Sequence, residues 1–142
     1  MTKYWITLLL ALLVGCNSKP ELSDTQKLQL TAKVWGFLKY YHPRVNEGKL
    51  NWDKQLVEII QKLDGVKSTE ELSALYSDWI DSLGLVPPCS SCEPSKDKEY
   101  FDRNLDLSWL ESETFSPALV EKLNYLRQNR TGRQFYVSLD GA

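Results

Sequence analysis

Apolar positions recur at helical spacing over most of this chain. Ser23 and Gln26 form a capping-box pair that opens a helix running to about Tyr41. Along it Leu30, Val34, Phe37 and Tyr41 line one stripe, and Leu28, Trp35 and Leu38 line the adjacent one. So wide an apolar face suits a helix packed against more than one neighbour. Pro43 lacks an N–H and disfavours α geometry at His42, which ends the helix. After a short polar loop, Asn51 is placed to cap a second helix. Trp52, Leu56, Ile59, Ile60 and Leu63 follow helical spacing along it until Asp64-Gly65 closes it. Ser68 and Glu71 read as another capping box. The third helix, after that box, carries Leu72, Leu75, Tyr76, Trp79, Ile80 and Leu83 at three-four spacing, with Gly84 as its terminator. Ser116-Pro117, a cap and then a proline at the first helical position, starts a fourth helix through about Asn129. Leu119, Leu123 and Leu126 form its buried stripe.

The segments between and beyond these helices read differently. Leu85 to Tyr100 is expected to be an exposed loop, because Pro87-Pro88-Cys89-Ser90-Ser91-Cys92-Glu93-Pro94-Ser95 sustains neither a helix nor a central strand. Leu105-Asp106-Leu107-Ser108-Trp109 alternates briefly, as an extended segment pinning its apolar side chains onto the helices would. Gln134 to Leu139 reads as a β-strand, and Asp140-Gly141 is a hairpin turn signal. A lone strand leaves backbone groups unpaired, so a longer protein is expected, of which residues 134–142 begin a β segment. The expected fold is mainly α: a small antiparallel array of about four helices, with a Pro/Ser/Cys loop and a C-terminal edge strand.

The amino-terminal residues read as an address rather than as part of that fold. Lys3 supplies a positive start, and Trp5 to Val14 is an uncharged apolar run too short to span a ~30 Å hydrocarbon core. Leu13-Val14-Gly15-Cys16 resembles a lipobox, in which the cysteine thiol takes a diacylglycerol before cleavage. Residues 1–15 are then a lipoprotein signal peptide, 16–22 a linker after lipidated Cys16, and 23–133 the helical domain. The expected location is the bacterial cell envelope, lipid-anchored on its periplasmic or surface side. An ordinary secretory signal with a chance cysteine is the competing reading. The remainder is long enough for one modest domain with a real core and too short for two. With 17 Lys and Arg against 19 Asp and Glu, and the basic residues scattered, no nucleic-acid partner is expected.

The segment Val34-Trp35-Gly36-Phe37-Leu38-Lys39-Tyr40-Tyr41-His42-Pro43, with Asn51-Trp52-Asp53 shortly after it, is the most distinctive in the chain. It spends four aromatics in seven residues before stopping at a proline. The phrase resembles the amino-terminal helical domain of the C-terminal processing (tail-specific) serine peptidases, in their lipoprotein-like members. The likeness extends more loosely through Asn104-Leu105-Asp106-Leu107-Ser108-Trp109. It implies a parent that cleaves peptide bonds and acts on a peptide or protein substrate, with this chain as a non-catalytic domain set against its own protease core. In that family the reactive serine and its lysine or histidine-type partner lie in the later core domain. Nothing here matches those motifs, so no catalytic residue is carried over.

Three sets of residues could carry chemistry. Cys89-Ser90-Ser91-Cys92 in an exported protein suits a local disulfide that staples a loop. A redox role would need the first cysteine at a helix start within a βαβ pattern, and zinc would need four ligands. His42, the only histidine, reads as a helix-terminal imidazolium facing the negative end of the dipole. A catalytic role would need a nucleophile and an orienting acid beside it. The aromatic set Trp35, Phe37, Tyr40, Tyr41, Trp52, Tyr76, Trp79 and Trp109 reads by its spacing as core. Tyr40 sits off both stripes and is the candidate partner surface, while Lys39 beside it reads as solvated. No cofactor and no metal is expected. A free-standing lipoprotein adaptor, binding a peptide, glycan or envelope partner through aromatic residues, is the alternative function. A thiol-redox module is a third.

Overall fold

The computed structural model describes residues 21–90, 92, 106–110 and 114–130. Cys16 with the leader reading, and the strand expected at 134–139, lie outside the described residues. Within them the fold is mainly helical, with five α-helices, one 3-10 turn and no strand.

Helix α1 (Asp24–Tyr41) begins at a complete capping box. The Ser23 N–H donates to Gln26 Oε1 at 2.9 Å, and the Gln26 N–H donates to Ser23 Oγ at 3.3 Å. Pro43 ends α1 as expected, and it also serves as the first residue of a further turn, α2 (Pro43–Asn46). A proline preset near helical φ makes the region after His42 a helix start rather than only a stop. The short polar loop expected there is therefore partly helical. Helix α3 (Trp52–Gln61) is capped by Asn51, whose Oδ1 accepts from the Lys54 N–H at 3.0 Å.

Helix α4 (Thr69–Ser82) has Ser68 as its cap, but the expected reciprocal box is not formed. The Glu71 carboxylate instead accepts from the Lys67 N–H at 2.7 Å, one residue further back. Helix α5 (Pro117–Gln128) opens on Ser116, whose Oγ accepts from the Leu119 N–H. Gly65 and Gly84, which come after α3 and α4, have φ of 86° and 100°. That left-handed conformation strains a residue with a Cβ, which is why the stops fall at glycine.

The expected extended stretch ending at Trp109 is instead a 3-10 turn over Ser108–Leu110. Asp106 Oδ1 accepts from the Ser108 N–H at 2.9 Å and so nucleates it. The turn tips both Trp109 and Leu110 into the core, where an alternating strand would have faced one of them outward.

Helix direction departs from a simple antiparallel array. Leu22 before α1 bonds Lys67 after α3, while Trp35 late in α1 bonds Trp52 at the start of α3, so these two run antiparallel. Trp79 near the end of α4 reaches Gln55 early in α3, which sets α4 against α3 in the same sense. Helices α4 and α5, however, advance together. The Ser73 Oγ accepts from the Ser116 N–H, the Asp81 carboxylate meets Lys122 Nζ at 2.6 Å, and the Val86 carbonyl accepts from Tyr125 at 3.0 Å. A parallel pair needs a long return connection, and the chain between Leu83 and Ser116 supplies it.

The core joins every element. Phe37, Trp52, Tyr76, Trp79, Trp109 and Phe115 are buried in it, among aliphatic side chains from all of the helices. Leu28 is 45% exposed and Ile60 38%, so the outer edges of the expected stripes face solvent. Trp35 is only partly buried.

Candidate functional site

The aromatic phrase folds into two linked clusters. In the first, Trp35, Trp52 and Trp79 stack with ring centroids 6.3 Å and 5.2 Å apart and planes within 12°. Trp35 Nε1 donates to the Trp52 carbonyl at 3.0 Å, and Trp52 Nε1 donates to the Trp35 carbonyl at 3.2 Å. Each of these two indoles thus finds a partner within the stack, as a buried indole N–H requires. In the second, Tyr41 stacks on Phe37, which meets Trp109 edge-on, and Phe115 meets both Trp109 and Tyr76 edge-on. The aromatic residues through which an adaptor would bind are thus spent largely on holding α1, α3 and α4 together.

Tyr40 is the exception expected of it. Its side chain is 39% exposed, on the outer side of α1. Lys39 is not merely solvated, because its Nζ lies 5.0 Å from the centroid of the Trp35 ring, within cation–π range. Lys39, the partly buried Trp35 and Tyr40 therefore form a stretch of α1 that solvent reaches.

Cys89 and Cys92 are joined by a disulfide with a Sγ–Sγ distance of 2.04 Å. The loop they close is anchored to α5 rather than free. The Cys89 N–H donates to Asn129 Oδ1 at 2.7 Å, and the Asn129 side chain donates back to the Tyr125 carbonyl at 2.9 Å. Leu85, at the start of this strap, is fully exposed.

His42 differs most from its expected state. The imidazolium expected at the negative end of the helix dipole is instead a ring 1% exposed. Neither ring nitrogen makes a hydrogen bond of good geometry, and the Gly84 carbonyl is the acceptor that acts on the ring. Burial pushes its affinity for a proton below that of an ordinary histidine; the Gly84 carbonyl opposes this and the Arg44 guanidinium adds to it. The ring is therefore neutral at pH 7. Its place at a helix end was legible in the sequence, but nothing in the sequence showed that the Gly84 turn would close over it.

The sequence reading placed Tyr76 in the core but passed over its buried polar partner. Thr31 Oγ1 and the Tyr76 hydroxyl lie 2.7 Å apart in the core, and Thr31 also donates to the Lys27 carbonyl. Burial raises the Tyr76 pKa far above the usual phenol value. Arg130 lies 5.6 Å from the Tyr41 ring centroid and, with Arg127, partly offsets the upward push that burial gives the Tyr41 hydroxyl. Threonine at position 31 falls on the apolar stripe of α1, and a polar residue there was the available signal.

Among the described residues no group of three His, Cys, Asp or Glu side chains is placed to hold a metal. Nor is any described helix long and apolar enough to cross a membrane. No protein-family profile, curated protein or solved structure matches this chain.

Proposed function

We propose that this chain is the non-catalytic amino-terminal domain of an envelope-anchored serine endopeptidase resembling the tail-specific proteases. In this reading Cys16 carries the lipid, the domain positions the protease core or shapes access to it, and Tyr40 is its contact with a partner. The observation that carries the reading is the reciprocal Trp35–Trp52 pair, 17 residues apart in sequence. The phrase on which the resemblance rests is thereby a structural unit that locks two helices, as suits a positioning domain. The sealed, neutral state of His42 supports assigning bond cleavage to other residues, since a general base must reach the proton it removes.

The parent's chemistry would be attack by a serine oxygen on the scissile carbonyl, with the developing oxyanion held by hydrogen-bond donors of the core. The test begins with the gene past the Ala142 codon. An in-frame continuation into a serine peptidase core supports the proposal, provided that the longer product cleaves C-terminally tagged peptides. A stop codon at that point, with purified protein that binds an envelope peptide or glycan through Tyr40, replaces it with the adaptor reading. Anchoring is tested separately: a fatty-acid probe should label the wild type and not Cys16→Ser, and a variant that still labels removes the lipid from the proposal.

A further inference from the structure

His42 lies where α1 ends, α2 begins and the Gly84 turn closes α4. Its ring is 1% exposed, and its nitrogens make no well-formed hydrogen bond, the Gly84 carbonyl being the acceptor that acts on them. Four residues on, Asn46 Oδ1 is also buried without a partner, and its Nδ2 makes only a 3.4 Å bond to the Tyr40 carbonyl. Two polar side chains are thus packed into one corner with little to satisfy them.

A neutral imidazole in such a place is tolerable, whereas an imidazolium adds a full charge and a second donor. The charged group that acts on His42 is the Arg44 guanidinium, of like sign, packed over Gly84. From α1, Lys39 is a cation over Trp35 and Tyr41 is a buried neutral phenol beside Arg127 and Arg130. The nearby carboxylates are engaged elsewhere: Glu47 after α2 with Lys49 at 3.1 Å, and Asp81 on α4 with Lys122 at 2.6 Å. A proton arriving on His42 therefore meets the like-charged Arg44, with the uncharged Gly84 carbonyl as the acceptor that favours it.

We propose that His42 is an acid-sensitive latch, holding the α1–α2 corner against the Gly84 turn while neutral and opening that corner when protonated. The backbone couples ring to helix. The His42 carbonyl accepts from the Val45 N–H at 3.0 Å and from the Asn46 N–H at 2.9 Å, so expelling the ring draws on the bonds that start α2. Helix α2 has four residues and depends on that start. The folded ring binds a proton less readily than the unfolded one. The latch therefore contributes fully above about pH 6.5 and is lost as pH falls through that value toward the folded pKa.

Because the chain has one histidine, its imidazole NMR signals identify themselves. With the full chain held in non-ionic detergent, they are tracked alongside amide exchange corrected for its intrinsic pH dependence. His42 should titrate below about 6.5. Over the same range, protection at Val45, Asn46 and Gly84 should fall about tenfold relative to Leu72–Tyr76 of α4. Titration at or above 6.5, unchanged protection at the corner, or equal loss at all sites would each overturn the proposal. If it folds, His42→Gln should remove the pH dependence at the corner; persistence of that dependence refutes the latch. The latch stands or falls independently of the peptidase reading, and neither test bears on the other.

Discussion

Replacing Trp52 with alanine is the most searching test of the core. The ring is buried and lies between Trp35 and Trp79, with centroids 6.3 Å and 5.2 Å away. Its loss removes transfer energy and leaves a cavity, which for a buried Trp or Phe costs about 3–5 kcal/mol. Two aromatic contacts also vanish, each typically adding about 0.5–1.5 kcal/mol beyond area burial, and part of this is already contained in the first figure. The Trp35 carbonyl loses its indole donor as well. A cost of about 4 kcal/mol is a large share of the roughly 5–15 kcal/mol a domain has in total. At about 4–8 °C per kcal/mol, the thermal midpoint should drop by about 15 °C or more, or the chain should fail to fold. Melts monitored by far-UV circular dichroism read this directly. Tyr40→Ala is the internal control and should stay within about 0.5 kcal/mol of the parent, as an exposed position does. Trp35→Ala, at a partly buried site, should fall between the two. If Trp52→Ala melts with the parent, the stack contributes nothing to stability and the core assignment built on it fails.

The buried polar pair and the turns give further expected outcomes. Thr31→Val leaves the Tyr76 hydroxyl only its 3.5 Å bond to the Lys27 carbonyl and should cost about 1–3 kcal/mol in urea denaturation, while adding Tyr76→Phe should recover part of that loss, because the poorly satisfied hydroxyl is then gone. The raised Tyr76 pKa also means that the folded state holds its phenolic proton, so its contribution to stability is present below about pH 10 and is lost as pH rises beyond it; the Tyr76 share of phenolate absorbance, taken as the difference from Tyr76→Phe, should appear only with unfolding. Gly65→Ala and Gly84→Ala should each cost about 1–2 kcal/mol from left-handed backbone strain. The Gly84 variant should lose slightly more, because its Cβ would sit 3.3 Å from Arg44 Nη1, whereas nothing lies within 4 Å at Gly65.

Local chemistry made much of this protein legible before any packing was known. Ser23, Asn51, Ser68 and Ser116 each accept a hydrogen bond from a first-turn N–H, and Gly65 and Gly84 each sit in the conformation that only glycine takes freely. Those features depend on residues within a few positions of one another, so sequence alone determines them. The spacing of Leu119, Leu123 and Leu126, or of Leu72, Tyr76 and Trp79, likewise fixes which face of a helix is buried. Periodicity does not say which helix that face meets or in which direction the neighbour runs. The parallel α4–α5 pair, the stacking of Trp52 between two rings and the sealing of His42 beneath the Gly84 turn all join residues from different parts of the chain. The same separation explains the mistaken expectations. Leu28 fits the stripe but stays 45% exposed, and Trp109 alternates like a strand residue until Asp106 turns the chain into the core. Whether a residue is solvated, and so whether a histidine is charged, depends on what folds over it, and that is decided only when distant segments come together.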